Sequence, residues 1–243
     1  MFDFENQVVM ISGASGNLGS ALARSFHEAG ARLALVDRHI DLLEKAFPDL
    51  VNVPDCLLAS CADLTDPNDV EMVEEQAIDR FGRIDALVHT VGGFRAGTPL
   101  HETPLATLDF MLNLNTKTVF ITNQAVIPHM IRQMSGKIIN LAARPGLQGR
   151  ANMAAYSASK AAVIRLTESA SAESKGYGIN VNCILPGTID TPQNREAMPG
   201  ADFSHWVQPE SPWPASFCSW LLTRRETFME RPFQCTGRVS DGD

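Results

Sequence analysis

Apolar and polar positions alternate along this chain between two periods. Short apolar runs occur at Gln7–Ile11, Arg32–Val36, Leu57–Ser60, Ile84–His89, Lys137–Leu141 and Ile179–Leu185. They lack strict in–out alternation, which is the pattern of strands covered on both faces. Between them lie stretches of helical spacing. Leu18, Leu22, Phe26 and Ala29 form one stripe, stopped by Gly30. Asp66-Pro67 opens a second helix, with a capping carboxylate before a proline at the first helical position, and this helix runs to Phe81 before Gly82. Thr103-Pro104 predicts the same cap for a long helical region towards Met134, and Met153–Lys175 predicts another long helix. Strands alternating with amphipathic helices imply parallel strands joined by helical crossovers. The expected fold class is α/β, a Rossmann-type doubly wound parallel sheet with helices on both faces. Its ligand crevice lies at the carboxyl ends of the strands.

Composition narrows the function. The 243 residues are 44% apolar, which suits one sizeable globular core, and there is no linker, repeat or low-complexity tract. A net charge of −8 disfavours nucleic acid or an anionic membrane as the main partner. The acidic start, Met1 to Glu5, lacks the features of a signal or transit peptide, and no apolar run approaches a membrane span of about 18 residues. The five cysteines have no metal-ligand spacing, so no metal is expected; Cys56 and Cys61 read as reduced core thiols. The expectation is a cytoplasmic protein acting on a small molecule.

The chemistry concentrates at the first strand–helix junction. Gly13, Gly16 and Gly19 sit in Ser12-Gly13-Ala14-Ser15-Gly16-Asn17-Leu18-Gly19. Gly13 lets the chain turn off the strand, and the small residues let backbone N–H groups approach a pyrophosphate at the positive end of the helix. Gly19 permits close helix–sheet packing. The competing reading is a turn with no ligand. Asp37, ending the second strand 18 residues after Gly19, weighs against that. A carboxylate there accepts hydrogen bonds from a ribose 2′-hydroxyl and repels a 2′-phosphate, which favours NAD(H) over NADP(H). The neighbouring Arg38 suits a phosphate and keeps NADP(H) open.

With these residues in place, the first 210 or so positions resemble the short-chain dehydrogenase/reductase family. Its Thr-Gly-x-x-x-Gly-x-Gly appears with Ser12-Gly13 at the start, Gly19 at the end, and Asn17 at the middle glycine, where tolerance of positive φ is expected. Asp63-Leu64 looks like the pair beside the adenine ring. The family's Asn-Asn-Ala-Gly appears as His89-Thr90-Val91-Gly92, with only the glycine unchanged. Asn115 is similar to the helix asparagine of a proton relay. Pro186-Gly187, Ile189 and Thr191 resemble the segment that grips the nicotinamide carboxamide. The resemblance therefore assigns Gly13, Ser15, Gly16, Asn17, Leu18, Gly19, Asp37, Arg38, Asp63, Leu64, Val91, Gly92, Pro186, Gly187, Ile189 and Thr191 to the dinucleotide, together with Tyr156 and Lys160.

Tyr156-Ser157-Ala158-Ser159-Lys160 carries the strongest likeness. The i, i+4 spacing puts Tyr156 and Lys160 on one helix face. A free tyrosine titrates near 10, so proton exchange near neutrality calls for nearby positive charge, which Lys160 is expected to supply. Alone, Tyr-x-x-x-Lys is common surface decoration; here it stands between a phosphate loop and a Pro-Gly segment. Asn115, Tyr156 and Lys160 are the expected catalytic residues. Ser157 and Ser159 are expected to point along other faces.

One position departs. The family's serine, 13 residues before the tyrosine, is Ala143, followed by Arg144. The dihydropteridine reductases within this family also lack that serine and place a small residue before a basic one. Val91-Gly92-Gly93-Phe94 resembles their Gly-Gly-aromatic turn. Pro186 through Thr191-Pro192, Asn194-Arg195, Met198-Pro199, Ala201-Asp202-Phe203-Ser204 and Trp206 resemble their substrate loop. The expected reaction is hydride transfer between a nicotinamide and a small carbonyl or conjugated substrate, a quinonoid pterin included. The rival reading is a non-catalytic dinucleotide-binding regulatory protein.

The tail reads differently. From Pro212 onward it lacks the helix and final strand expected of this family. Codons for Trp213-Pro214 give Ala in the neighbouring frame, those for Met229-Glu230 give Gly, and those for Phe217 to Leu221 can give Leu-Leu-Leu-Ala. The shifted text reads as an amphipathic helix, a turn and a strand. Residues 1–211 are therefore expected to form the oxidoreductase domain, and 212–243 to be a frameshift product; the gene's codons test this. A homodimer or homotetramer is expected with an intact C-terminus, and an exposed sheet edge without it.

Overall fold

The computed structural model describes residues 3–207 and the pair 234–235. Seven parallel strands form one sheet in the order β3-β2-β1-β4-β5-β6-β7. They are β1 (Val8–Ser12), β2 (Arg32–Asp37), β3 (Cys56–Ser60), β4 (Ala86–His89), β5 (Gly136–Leu141), β6 (Ile179–Pro186) and β7 (Gln234–Cys235). The strand order reverses direction at β1, flanked by β2 and β4, so a crevice opens beyond the carboxyl ends of β1 and β4.

Helices cover both faces, which is why the strands are apolar throughout. α1 (Asn17–Glu28) and α2 (Ile40–Ala46) pack Leu22, Phe26 and Leu43 against Val9, Ile11, Leu33 and Leu35. The opposite face of the same strands presents Met10, Ala34 and Val36. α3 (Pro67–Phe81) and α5 (Thr118–Gln133) meet it with Val70, Val73, Ala77, Val126 and Met130. The odd–even split is the period of two that a pleated strand imposes. α6 (Ala154–Ser174) extends this layer over β5 and β6 through Val163, Ile164 and Leu185.

Local chemistry sets most ends. Asp66 accepts the Asn68 N–H at 2.9 Å, and Gly82 ends α3 with φ 76°. Thr103 does not cap: its hydroxyl donates to the Pro99 carbonyl at 2.9 Å, and Pro104 precedes α4 (Leu105–Met111) without a side-chain cap. The predicted long helical region is divided. Leu112–Lys117 form a π-helical turn between α4 and α5. α2 and α7 (Pro192–Ala197) went unforeseen; α7 is capped by the Thr191 hydroxyl.

The cysteines Cys56, Cys61 and Cys183 are buried and free, and burial pushes their thiols up to about 12, 11 and 12. Thiols held that far above neutrality are poor nucleophiles. Among the described residues no helix is long and apolar enough to cross a membrane. The expected change of character from Pro212 lies outside the described residues, apart from one pair. Gln234 and Cys235 lie parallel to Leu185 and Pro186, so the expectation of no final strand is corrected to a two-residue strand. The free edge of β6 presents backbone groups that such a pairing satisfies.

Candidate active site

The β1–α1 turn is closed by backbone contacts. Gly13 has φ +75°, and the Gly13 and Ala14 N–H groups donate to the Val36 carbonyl at 2.8 and 3.1 Å. A Cβ on Gly19 would lie 2.1 Å from the Gly13 oxygen, so only glycine fits there. Asn17 does not use left-handed backbone as expected; it is the first residue of α1, and Gly13 carries the turn. The first turn of α1 holds no acidic residue, leaving its positive end free to face an anion.

Asp37 is fastened to this turn. Its Oδ2 accepts the Ser15 N–H at 2.9 Å and the Ser15 hydroxyl at 2.7 Å, and its Oδ1 accepts the Arg38 N–H at 2.7 Å. The strand-end carboxylate and the phosphate loop are thus one unit. Asp63 and Leu64 follow β3. The Thr65 side chain and its N–H, 2.8 Å from Oδ1, hold the Asp63 carboxyl below the usual carboxylate range, while Leu64 packs beneath the sheet.

Next to β1, the end of β4 carries a buried polar chain. The Thr118 hydroxyl donates to the Leu114 carbonyl at 2.7 Å. It therefore accepts from His89 Nε2, 3.2 Å away, which leaves Nδ1 to accept the Ser12 hydroxyl at 2.8 Å. Complete burial, and then the charge of Lys160, hold the imidazole down to about 3, so it is neutral. Thr90 donates to the Ser12 and Gly13 carbonyls at 2.8 and 3.1 Å. Both replace asparagines of the family pattern, and both have definite roles.

The π-helical turn aims Asn115 at the crevice. Its Oδ1 accepts the Gly93 N–H at 2.8 Å; its Nδ2 donates to the Gly93 carbonyl at 3.1 Å and to Ser159 Oγ at 3.0 Å. Both amide protons are committed, so its side chain holds the Gly92-Gly93 turn and donates no proton to a water route towards Lys160. A Cβ on Gly92 would stand 3.0 Å from Asn115 Oδ1 and 3.2 Å from Lys160 Nζ, so both groups close on the space beside that glycine. Ser159 does not point away as expected: it donates to the Tyr156 carbonyl at 2.8 Å while receiving Asn115.

Tyr156 and Lys160 line one cleft of about 600 Å³ with Gly13, Gly16, Leu18 and Gly92. Pro186, at the end of β6, and Gly187, Ile189 and Thr191 beyond it border the same cleft. Lys160 Nζ donates to the Leu141 carbonyl at 2.8 Å, and burial lowers it to about 8. The Tyr156 ring meets Phe94 edge-on, centroids 4.9 Å apart. Burial pushes its phenol up to about 12, so the expected lowering by Lys160 is not realised in the protein alone. Ala143 is buried at the end of β5 and offers no hydroxyl. Asn194 and Met198, of the segment that resembles a substrate loop, also border the cleft, as do Arg150 and Met153, which sequence reasoning had not placed.

A glycine-lined cleft at the switch point of a parallel sheet, with a tyrosine and a lysine inside, defines a dinucleotide-binding oxidoreductase. Residues 7–201 match the family model for short chain dehydrogenase. A (2S)-[(R)-hydroxy(phenyl)methyl]succinyl-CoA dehydrogenase subunit, BbsD of Thauera aromatica, is 35% identical over 77% of this chain and 75% of its own. Levodione reductase of Leifsonia aquatica is 33% identical over 88% of this chain and 78% of its own. The crystal structure of NAD+-bound xylitol dehydrogenase superimposes with a TM-score of 0.84 at 26% identity, covering 97% of this chain and 99% of that one. The chain belongs to the short-chain dehydrogenase family, and it is an oxidoreductase.

Proposed function

We propose that this enzyme is an NAD(H)-dependent reductase of a conjugated or carbonyl substrate, with Tyr156 as the proton-transferring group. The observation that carries this reading is the shared cleft: Tyr156 and Lys160 border the same space as the phosphate-loop glycines. The residues fit a nicotinamide dinucleotide. Gly13, Gly16, Gly19 and Gly92 line the cleft with backbone alone, and the α1 N-terminus suits a pyrophosphate. The resemblance of this chain to an NAD+-bound xylitol dehydrogenase supports the same assignment. Bound there, the nicotinamide supplies or accepts a hydride.

The remaining roles fall to the chain. Asp37, fixed by Ser15, accepts hydrogen bonds from a ribose 2′-hydroxyl and opposes a 2′-phosphate, which favours NAD(H). At pH 7 the Tyr156 phenol is protonated and donates its proton to the substrate atom left with excess charge. Lys160, still mainly protonated below pH 8, places positive charge beside the cleft. Asn115 and Ser159 hold the Gly93 turn and the Tyr156 backbone.

Ala143 favours a conjugated C–N system such as a quinonoid dihydropterin over a ketone. The hydroxyl that would assist Tyr156 in gripping a ketone oxygen is absent at that position. NADH oxidation with quinonoid dihydropterin, against Tyr156→Phe, tests this. Turnover at least a hundredfold above the variant is expected. Tight NADH binding without turnover would reject the pterin and leave a carbonyl substrate.

A further inference from the structure

The loop that leaves β4 reaches the reacting group through one aromatic side chain. Phe94 follows the Gly92-Gly93 turn. Its ring meets the Tyr156 ring edge-on, with centroids 4.9 Å apart and planes at 85°. Both residues line the cleft. An edge-to-face pair at this separation is attractive, because the positive edge of one ring meets the negative face of the other. The contact has a specific consequence for a phenol. The hydroxyl oxygen lies on the line of the Cβ–Cγ bond, so spinning the ring leaves it in place. Only a swing about the Cα–Cβ bond, from one staggered well to another, carries the oxygen away. A second ring set against the phenol opposes that swing.

Phe94 can act this way because its own backbone is held from three sides. On the first, Asn115 accepts the Gly93 N–H at 2.8 Å and donates to the Gly93 carbonyl at 3.1 Å. A Cβ on Gly93 would lie 2.6 Å from Leu114 Cδ2, so this glycine rests directly on the π-helical turn. On the second, the Arg95 guanidinium stacks over the Phe110 ring of α4, 3.6 Å from its centroid. On the third, the Gly97 N–H donates to the Asn152 carbonyl at 2.8 Å, just before α6 begins. Residues 93–97 thus run from the π-helical turn to the start of the helix that carries Tyr156.

We propose that Phe94 is a positioning residue, which holds the Tyr156 hydroxyl in the rotamer used for proton transfer, and that the loop 93–97 acts on that hydroxyl through it. Asn115 then serves the reaction by way of Gly93 and Phe94, a route made of contacts and not of protons. The inference rests on the reading of Tyr156 as the proton-transferring group; the hold of Phe94 on the ring is independent of it.

The test uses the full chain and two readouts. The sequence holds two tyrosines, Tyr156 and the exposed Tyr177, so Tyr177→Phe grown with fluorotyrosine carries its fluorine on the Tyr156 ring alone. In Phe94→Leu the fluorine resonance should move towards that of free fluorotyrosine by more than a linewidth. With NADH and quinonoid dihydropterin, kcat of Phe94→Leu should fall about tenfold while KM for both reactants stays within about twofold. Phe94→Trp restores a ring and should stay within about threefold of the unaltered protein. Arg95→Gln, at an exposed position outside the cleft lining, loosens the loop from Phe110; it should lower kcat about threefold and move the resonance in the same direction. In Phe94→Leu the same change should add nothing, since its route is already cut. An unmoved resonance in Phe94→Leu, an intact kcat with raised KM, or an Arg95→Gln effect that persists in full without Phe94 would overturn the proposal. Should Phe94→Leu fail to fold, an unmoved resonance in Arg95→Gln overturns it equally. Absence of turnover by the unaltered protein would count against the pterin reading instead, and the fluorine resonances then decide the role of Phe94 by themselves.

Discussion

His89 offers the sharpest quantitative test of the structure. Its ring bridges Ser12, at the mouth of the phosphate loop, to Thr118 beside the π-helical turn, and it does so as a neutral group. The folded value near 3 lies below the 6.5 of an unconstrained histidine, so the unfolded chain takes up the proton first as pH falls. Its contribution is therefore complete above about pH 6.5 and is lost progressively as pH falls towards 3. At pH 5 the two values give a loss of about 2 kcal/mol relative to pH 7.5. The unaltered protein alone will not reveal it. Glu74, 2% exposed, is pushed up to about 7 by burial, so its folded value lies above 4.5 and acidification from pH 7 to 4.5 stabilises by a similar amount. The informative quantity is the stability difference between the protein and His89→Asn, read by urea unfolding at pH 7.5 and 5.0 and fixed protein concentration. Asparagine keeps a donor and an acceptor but no titratable group. At pH 7.5 the variant should be less stable by about 1–3 kcal/mol, the cost of a disrupted buried hydrogen-bond pair. At pH 5 the gap should shrink by about 2 kcal/mol, which is roughly 0.7 M in urea midpoint for a slope near 3 kcal/mol/M. A gap that stays constant with pH, or widens on acidification, would refute the neutral bridge.

Four further outcomes are expected. Replacing Glu74 by Gln should abolish the stabilisation on acidification between pH 7 and 4.5, measured as the urea midpoint against pH. Gly92→Ala should lower turnover at least tenfold with the thermal midpoint little changed, because the new methyl displaces Asn115 Oδ1 or Lys160 Nζ from their 3.0 and 3.2 Å positions. Reductive turnover should be level from pH 6 to 7.5 and fall as pH rises through about 8, where Lys160 loses its proton; a level profile to pH 10 would contradict the lowered lysine. Asp37→Ser should reduce the preference for NADH over NADPH at least tenfold in kcat/KM, and unchanged selectivity would remove Asp37 from cofactor discrimination.

The sequence made the frame legible because the frame is set by period. Every predicted strand is present within about two residues, since two-sided burial demands continuous apolar runs. α2 escaped notice for a physical reason: it has seven residues, and only Leu43 is fully buried, which is too little pattern to stand out. The π-helical turn has no local marker at all. It is fixed by long-range partners, Gly93 and Ser159, that only the folded chain brings to Asn115. His89 and Ser12 are 77 positions apart, so the partner that makes a buried histidine tolerable could not be read from its neighbours. The glycine loop, Asp37, Tyr156 and Lys160 were legible because each occupies a fixed offset from a strand or helix end. Arg150 and Met153 were not, since their placement depends on how the β5–α6 segment folds back on α6.

These contacts together explain how a buried tyrosine and lysine coexist in one cleft. Burial opposes charge on each: the phenol stands near 12 and the ammonium near 8. A neutral phenol and a protonated lysine are therefore the resting state near pH 7. His89 sustains it by remaining neutral, because a second cation next to Lys160 would lower the lysine further. Its neutrality depends in turn on having an acceptor and a donor already matched, through Thr118 and Ser12. Thr118 is fixed by the Leu114 carbonyl in the π-helical turn, whose Asn115 holds the Gly92-Gly93 turn beside Lys160. The polar chain from Ser12 to Gly93 thus keeps a second cation away from Lys160 at the end of β4.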